Sequence, residues 1–397
     1  MSSQKKISVI TDGYGQLIEL NLPLTKRGVQ HITTISTGGL SIGANGISKG
    51  HHDAWVDADE MIDWSIFDKI HWPGYEGLTL FQSLNYTGND TTFADWFSNR
   101  PAKFFHFKPV KDVVVDLKKA QIRVFELYVN ESLVDLSLGE KANYITIHGN
   151  LENVTFKNCP EEFFLSFKSF QNKQNKSVYQ LPNYPVASTA KSVNIFGEVK
   201  GEPFDCESLL QFSELKSLYL SGNVTNLSAL MKLEHLEKIG LSLIPDLKDM
   251  PGLATWKNLR DFFAENVEET VGKRLRDELK LLKKDRNFPA HCGVLKLRKS
   301  IWFETEYHIP FSNWEAKAAK VATRAYKNSL KEIRKKKEEA DVYDAIVKLI
   351  THINELSDID TVEREDVWIA INQLAEVSEL SICPKLLEQW FDETRDF

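Results

Sequence analysis

The sequence predicts an α+β chain with an N-terminal mixed domain, a β-rich solenoid in the middle and a helical domain at the C-terminus. Three observations predict it. Between Leu215 and Ala264 one apolar pattern recurs three times, with starts 21 and 23 residues apart. Upstream, pairs of apolar residues two apart follow one another, several at spacings of only nine to eleven residues. Beyond residue 313, apolar residues recur at three- and four-residue spacing among charged ones, the period of an amphipathic helix.

Length and composition bound the possibilities. The chain has 397 residues, room for about two to three domains. Its net charge of −7 argues against a molecule built to coat nucleic acid. No window approaches a membrane-spanning run, and the first residues carry no signal-peptide core, so we expect a cytoplasmic protein with no membrane partner. Cys159, Cys206, Cys292 and Cys383 are scattered without metal-site spacing, although His291 adjoins Cys292, and they read as reduced buried thiols.

Residues 1–110 are rich in aromatics, among them Trp55, Trp64, Trp96, Phe104 and Phe105. We expect a mixed α/β domain here that also covers the apolar end of the solenoid. Residues 111–270 are expected to form the solenoid. Its first part carries the pairs Val115/Leu117, Phe125/Leu127, Leu136/Leu138, Ile145/Ile147, Val154/Phe156, Leu165/Phe167 and Val193/Ile195. Period-2 pairs between polar turns mean strands. Either every second strand lies on the opposite wall of a coil, or this part is a meander.

The second part reads Leu215-x-x-Leu218-x-Leu220-x-x-Asn223, then Leu236-x-x-Ile239-x-Leu241, then Leu259-x-x-Phe262-x-Ala264. These residues resemble the leucine-rich-repeat family at its usual period. Leu218 and Leu220 share a strand face, which must be the core. Asn223 stands where the chain turns and can hydrogen-bond backbone groups of a neighbouring coil. Ile244 and Val267 replace it in the later turns. Leu227, Leu230 and Leu233 would close the coil from its convex side. The residues left on the concave side are Lys216, Ser217 and Tyr219, then Glu237, Lys238 and Gly240, then Arg260, Asp261 and Phe263. From them we single out Lys216, Tyr219, Glu237, Lys238, Arg260 and Phe263 as candidate partner contacts.

Residues 271–312 read as a basic connecting segment, with ten Lys or Arg against three acids from Lys273 to Lys299. Residues 313–397 read as helices. The first is basic, with Lys317, Lys320, Arg324, Lys327, Lys331 and Arg334, and we expect it to pack on the acidic segment that follows and neutralise it. Ile346, Ile350 and Ile353 mark one later helix, and Val367, Ile369, Ile371, Leu374 and Ala375 another. Asp360, with Glu363 three residues on, is a capping box for the latter.

Motifs for chemistry are weak. Gly39-Leu40-Ser41-Ile42-Gly43 matches G-x-S-x-G, with His51, His52 and Asp53 close behind. A nucleophile elbow needs a helix directly after the Ser, and Ala44-Asn45-Gly46-Ile47-Ser48 is a poor one. Adjacent His51, His52 and Asp53 point in different directions, so they read as a loop rather than metal ligands. No phosphate-binding or dinucleotide-binding glycine motif is present, and we expect no cofactor and no metal.

The closing segment, with Thr361-Val362-Glu363-Arg364-Glu365-Asp366 and a final WFDETRDF, resembles the tails of certain bacterial leucine-rich-repeat proteins. Some of those resemble immunity partners of polymorphic toxins. The resemblance implies a non-enzymatic protein binder that occludes a cognate toxin. An intracellular scaffold or regulator is the first alternative. A hydrolase in the N-terminal domain, using Ser41 or the His51/His52 pair, is the second.

Overall fold

The computed structural model describes residues 6–10, 17–21, 39–49, 52, 54–69, 81–171, 177–305, 307, 309–335, 338–356, 359–380 and 382–397. The fold is α+β, with one large parallel sheet and several helices. Two compact units divide the chain, residues 1–298 and residues 299–397.

A hairpin opens the first unit, β1 (Lys6–Ile10) against β2 (Leu17–Asn21). Strands β3 (Gly39–Ala44), β4 (Ala54–Val56) and β5 (Phe81–Thr87) follow, then the short α1 (Phe93–Trp96) and β6 (Ala102–Lys108). After these the chain alternates through β7 (Val113–Asp116), β8 (Ile122–Val129), β9 (Val134–Ser137), β10 (Tyr144–Gly149), β11 (Val154–Asn158) and β12 (Phe164–Lys168). The later strands are β13 (Ser192–Phe196), β14 (Phe204–Asp205), β15 (Ser217–Ser221), β16 (Val224–Thr225), β17 (Lys238–Ser242) and β18 (Asp261–Glu265). Helix α2 (Glu269–Asp285) and β19 (Gly293–Leu295) complete the unit.

Twelve strands form the large sheet, in the order β19-β18-β17-β15-β13-β12-β10-β8-β6-β5-β3-β4. Strands β11, β9 and β7 form a second parallel sheet. Every second strand between β6 and β12 therefore lies on the opposite wall, which decides between the two arrangements that the short spacing allowed. About ten residues suffice per wall because each strand is only four to eight residues long. Further on, the second wall is made by short 3-10 turns at Cys206–Gln211, Leu227–Lys232 and Leu253–Thr255.

The expected boundary at residue 110 is corrected by the sheet, because β3, β4, β5 and β6 are strands of the same twelve. Their apolar pairs, Leu40/Ile42, Ala54/Val56, Leu84/Tyr86 and Phe105/Phe107, are all buried. The aromatic residues around them hide this period-2 signal in the sequence. A second correction concerns the segment 271–312, which is no separate connector. Its first part is α2 and β19, built into the first unit, and the division falls after Arg298.

Within the repeats the register is regular. Leu218, Ile239 and Phe262 lie side by side, as do Leu220, Leu241 and Ala264. Leu215, Leu236 and Leu259 are also buried. Each such leucine removed from water stabilises by about 1.5–3 kcal/mol. Asn223 does what its position suggested, its Nδ2 donating to the Gly201 carbonyl of the preceding turn at 3.0 Å. Gly222 just before it has φ +98°, and a Cβ there would come 2.2 Å from the Gly197 carbonyl oxygen, so the corner requires glycine.

The basic run around α2 is structural. Arg276 donates to the Val294 carbonyl, Lys283 to the Cys292 carbonyl and Arg286 to the Trp256 carbonyl. These cations satisfy backbone oxygens that the loops otherwise leave open.

The second unit holds α3 (Ser300–Thr305), α4 (Ala316–Lys335), α5 (Glu339–Asn354), α6 (Thr361–Val377) and α7 (Pro384–Thr394). Ile346, Ile350, Ile353, Val367, Ile371 and Leu374 are buried in its core, whereas Ile369 is exposed and leaves the expected apolar set. The capping box is present, Asp360 accepting from the Val362 and Glu363 amides and Glu363 from the Asp360 amide. Helix α4 packs on α5 and α6 as expected, but through its apolar face rather than through its cations. Ala322, Ala325, Tyr326 and Ile333 face the core while Lys317, Lys320, Arg324, Lys327, Lys331 and Arg334 are exposed. An ion pair between α4 and α5 runs the other way, Lys348 of α5 to Glu332 of α4 at 2.8 Å. No helix among the described residues is long and apolar enough to cross a membrane.

Candidate binding face

Strand alternation sends one set of side chains into the core and leaves the other on the open face of the large sheet. Because neighbours pair in parallel, the open set lines up in rows across strands. One row reads Asn85, His106, Glu126, Thr146, Ser166, Asn194, Tyr219, Gly240 and Phe263, from β5 to β18. The next row reads Tyr128, His148, Lys168, Phe196, Ser221, Ser242 and Glu265. A row on the other side holds Tyr144, Phe164, Ser192, Ser217, Lys238 and Asp261.

The six residues singled out from the repeats fall into two groups. Tyr219 and Phe263 share a row, separated by Gly240, and Lys238 lies one row away. Tyr219 lies over Gly240, where a Cβ would approach its Cδ2 to 2.7 Å, and its ring centroid is 5.2 Å from Phe196. Lys216, Glu237 and Arg260 instead precede their strands and pair with each other. Glu237 accepts from Lys216 at 3.5 Å and from Arg260 at 2.5 Å, so this acid is shared along an exposed ladder.

Sequence reasoning missed the middle of the face. Around Glu126 three polar side chains converge on one carboxylate oxygen. Tyr128 donates its hydroxyl to Oε2 at 3.0 Å, His148 Nε2 lies 3.1 Å away and His106 Nδ1 lies 3.3 Å away. Tyr128 and His148 stack with ring centroids 4.2 Å apart. The contact from His106, then that from His148, hold the Glu126 carboxyl well below its usual 4.5, against partial burial, with Tyr128 adding to them. Burial first, then the neighbouring carboxylate, pushes the Tyr128 hydroxyl up to about 12. The pairs Phe125/Leu127 and Ile145/Ile147 already implied that Glu126, Tyr128, Thr146 and His148 face outward. What they could not supply is which strands lie side by side.

This cluster adjoins a depression of about 620 Å³ floored by Thr146, Ser166 and Asn194. Phe104, Tyr144 and Phe196 supply apolar wall, and Lys103, Arg123 and Lys168 supply positive charge. Lys168 Nζ stands 5.0 Å above the Phe196 ring. Apolar body with fixed cations suits a partner surface carrying acids.

The lowered Glu126 carboxyl has a pH consequence. Its stabilising effect is fully present above the unfolded value near 4.5 and is lost as pH falls through the lower folded value. Urea midpoints measured between about pH 3 and pH 7 should therefore fall on acidification less steeply in Glu126→Gln than in wild type. Above about pH 4.5 Glu126→Gln should be the less stable protein. Parallel curves would show that the three contacts do not favour the ionised form.

Ser41 sits inside β3 rather than at a strand-to-helix elbow, and a turn rather than a helix follows Ala44. The motif therefore lacks its structural context. Its Oγ nevertheless lies 2.7 Å from His52 Nδ1, and His52 packs edge-on to Trp55 at 4.9 Å. His51 and Asp53 lie outside the described residues. No protein-family model, curated protein or solved structure matches this chain.

Proposed function

We propose that this chain is a non-enzymatic protein-binding module, a solenoid ending in leucine-rich repeats whose open sheet face holds a protein partner. The observation that carries the reading is that face, with Tyr219 and Phe263 in a row that runs from β5 to β18 and Lys168 and Phe196 in the row beside it. Ten strands from β3 to β18, at about 4.8 Å spacing and about 16 Å of strand length, offer roughly 700 Å². A standard interface takes about 800 Å² from each partner, so the face is of the right size. Lys103, Arg123 and Lys168 favour an acidic patch on that partner. The more specific reading is immunity, in which the module neutralises a cognate toxin by covering its active site.

The test is co-expression of the tagged chain with the polypeptide encoded beside it in the source organism. A stoichiometric complex, and rescue of growth from that polypeptide's toxicity, are the expected results. A complex without toxicity would leave a scaffold. If nothing binds, the second reading gains, and the observation favouring it is the Ser41–His52 contact of 2.7 Å. A serine-reactive phosphonate should then label wild type but not Ser41→Ala.

A further inference from the structure

Asp261, His291 and Cys292 come together although 30 residues separate the first two. Asp261 opens β18, and Phe263 pairs with Gly293 at the start of β19. Two residues back along each strand therefore bring Asp261 and His291 opposite one another. His291 and Cys292 are neighbours and would diverge on a strand. Here they belong to a turn in which the Cys292 amide donates to the Pro289 carbonyl at 3.1 Å, and both side chains reach Asp261.

The three donor atoms lie close enough to be drawn onto one ion. Asp261 Oδ1 lies 3.0 Å from His291 Nε2 and 3.2 Å from Cys292 Sγ, and the three donor atoms all fall within 4.8 Å of one another. A tetrahedral ion with bonds of about 2.1 Å to nitrogen and oxygen and about 2.3 Å to sulfur needs roughly 3.4 Å and 3.6 Å for the same pairs. These two pairs have to open by only about 0.4 Å each. From this geometry we propose that Asp261, His291 and Cys292 bind one zinc-class divalent ion.

The donor chemistry narrows the class. One imidazole, one thiolate and one carboxylate suit a borderline ion, whereas magnesium or calcium would want oxygen throughout. The thiolate and the carboxylate together balance a double positive charge. Around the sulfur the Phe262 amide donates at 3.5 Å, the kind of outer contact that fixes a ligand's direction. Lys283 is turned to the Cys292 carbonyl at 2.7 Å. The imidazole is well exposed and Cys292 buried, so the ion would sit at the surface with its fourth position open to water. Asp261 belongs to an outer row of the open face, but metal binding needs no protein partner, so the site does not depend on the protein-binding reading.

Cobalt(II) titrated into the reduced full-length protein tests it. We expect one equivalent to bind with a sulfur-to-cobalt charge-transfer band in the near ultraviolet and tetrahedral bands in the visible, both removed by zinc. Cys292→Ser should abolish the sulfur band. Asp261→Asn and His291→Ala should weaken binding by more than the ~10–100-fold that loss of an outer contact costs. Cys383 is exposed and could bind cobalt adventitiously, so Cys383→Ser must retain the band. His291 is exposed enough for its alanine variant to fold, which circular dichroism of the metal-free protein checks. The proposal is overturned by absence of the sulfur band in wild type, by its survival in Cys292→Ser, or by unchanged affinity in His291→Ala.

Discussion

Replacing Trp256 with alanine should lower the stability of the first unit by about 3–5 kcal/mol, the usual cost of removing a fully buried large aromatic. Its side chain is wholly buried, and its indole N–H donates to the Leu230 carbonyl of the preceding repeat at 3.2 Å. Its own carbonyl accepts from Arg286 at the end of α2 at 2.9 Å. The residue thus ties two repeats and the following helix. Truncation opens a cavity and removes one of two hydrogen bonds to the Leu230 oxygen, which keeps that of the Leu233 amide at 3.0 Å, so the cavity is the larger penalty. Trp256→Phe should keep most of the packing, lose the hydrogen bond and fall between. Equilibrium urea unfolding of the full chain measures both. A loss below about 1 kcal/mol for the alanine variant would mean that the site collapses around the gap, or that this corner opens independently of the rest.

Tyr219→Ala should weaken the complex with a protein partner by about 2 kcal/mol or more, roughly 30-fold, and Phe263→Ala should act in the same direction. Tyr219 is the better anchor because it is already fixed, lying over Gly240 and 5.2 Å from Phe196, so little conformational freedom remains to be lost on binding. Lys168→Glu should chiefly slow association and do so more at low salt, since Lys168 carries the positive charge over the Phe196 ring. Lys216→Ala and Arg260→Ala should change affinity little. Both side chains are more than half exposed and already engaged with Glu237, so they sit at a rim. Surface plasmon resonance on the co-purified partner distinguishes these. If Lys216→Ala or Arg260→Ala costs more than Tyr219→Ala, the partner sits at the strand starts and the central rows are not the contact surface.

The local rules were readable residue by residue. Leu215, Leu218 and Leu220 announce an inward face because a strand alternates, and they are buried. Asn223 announces a corner, because a side-chain amide must satisfy a backbone group there, and it bonds Gly201. Asp360 and Glu363 announce a helix start, because orphan amides need acceptors, and the capping box forms. These features survive because each is set by neighbours within a few positions. The repeat that looked confined to residues 215–264 is another matter. The strands from Gly39 to Lys108 carry the same alternation, but with phenylalanine, tyrosine, alanine and valine mixed among Leu40, Ile42 and Leu84, so the sequence pattern faded where the sheet did not.

Tertiary structure alone decided which side chains stand next to one another. Glu126, His106 and His148 are about twenty residues apart in pairs, and nothing in their local context marks them as a group. Parallel register places them on adjacent strands, and their chemistry then exists only in that arrangement. The same holds for Asp261 with His291 and Cys292, and for Ser41 with His52. The one-dimensional chain determined the alternation of burial, the turns and the caps, because those follow from backbone geometry and water. The candidate sites follow from strand order, which is fixed by how the whole chain closes its core.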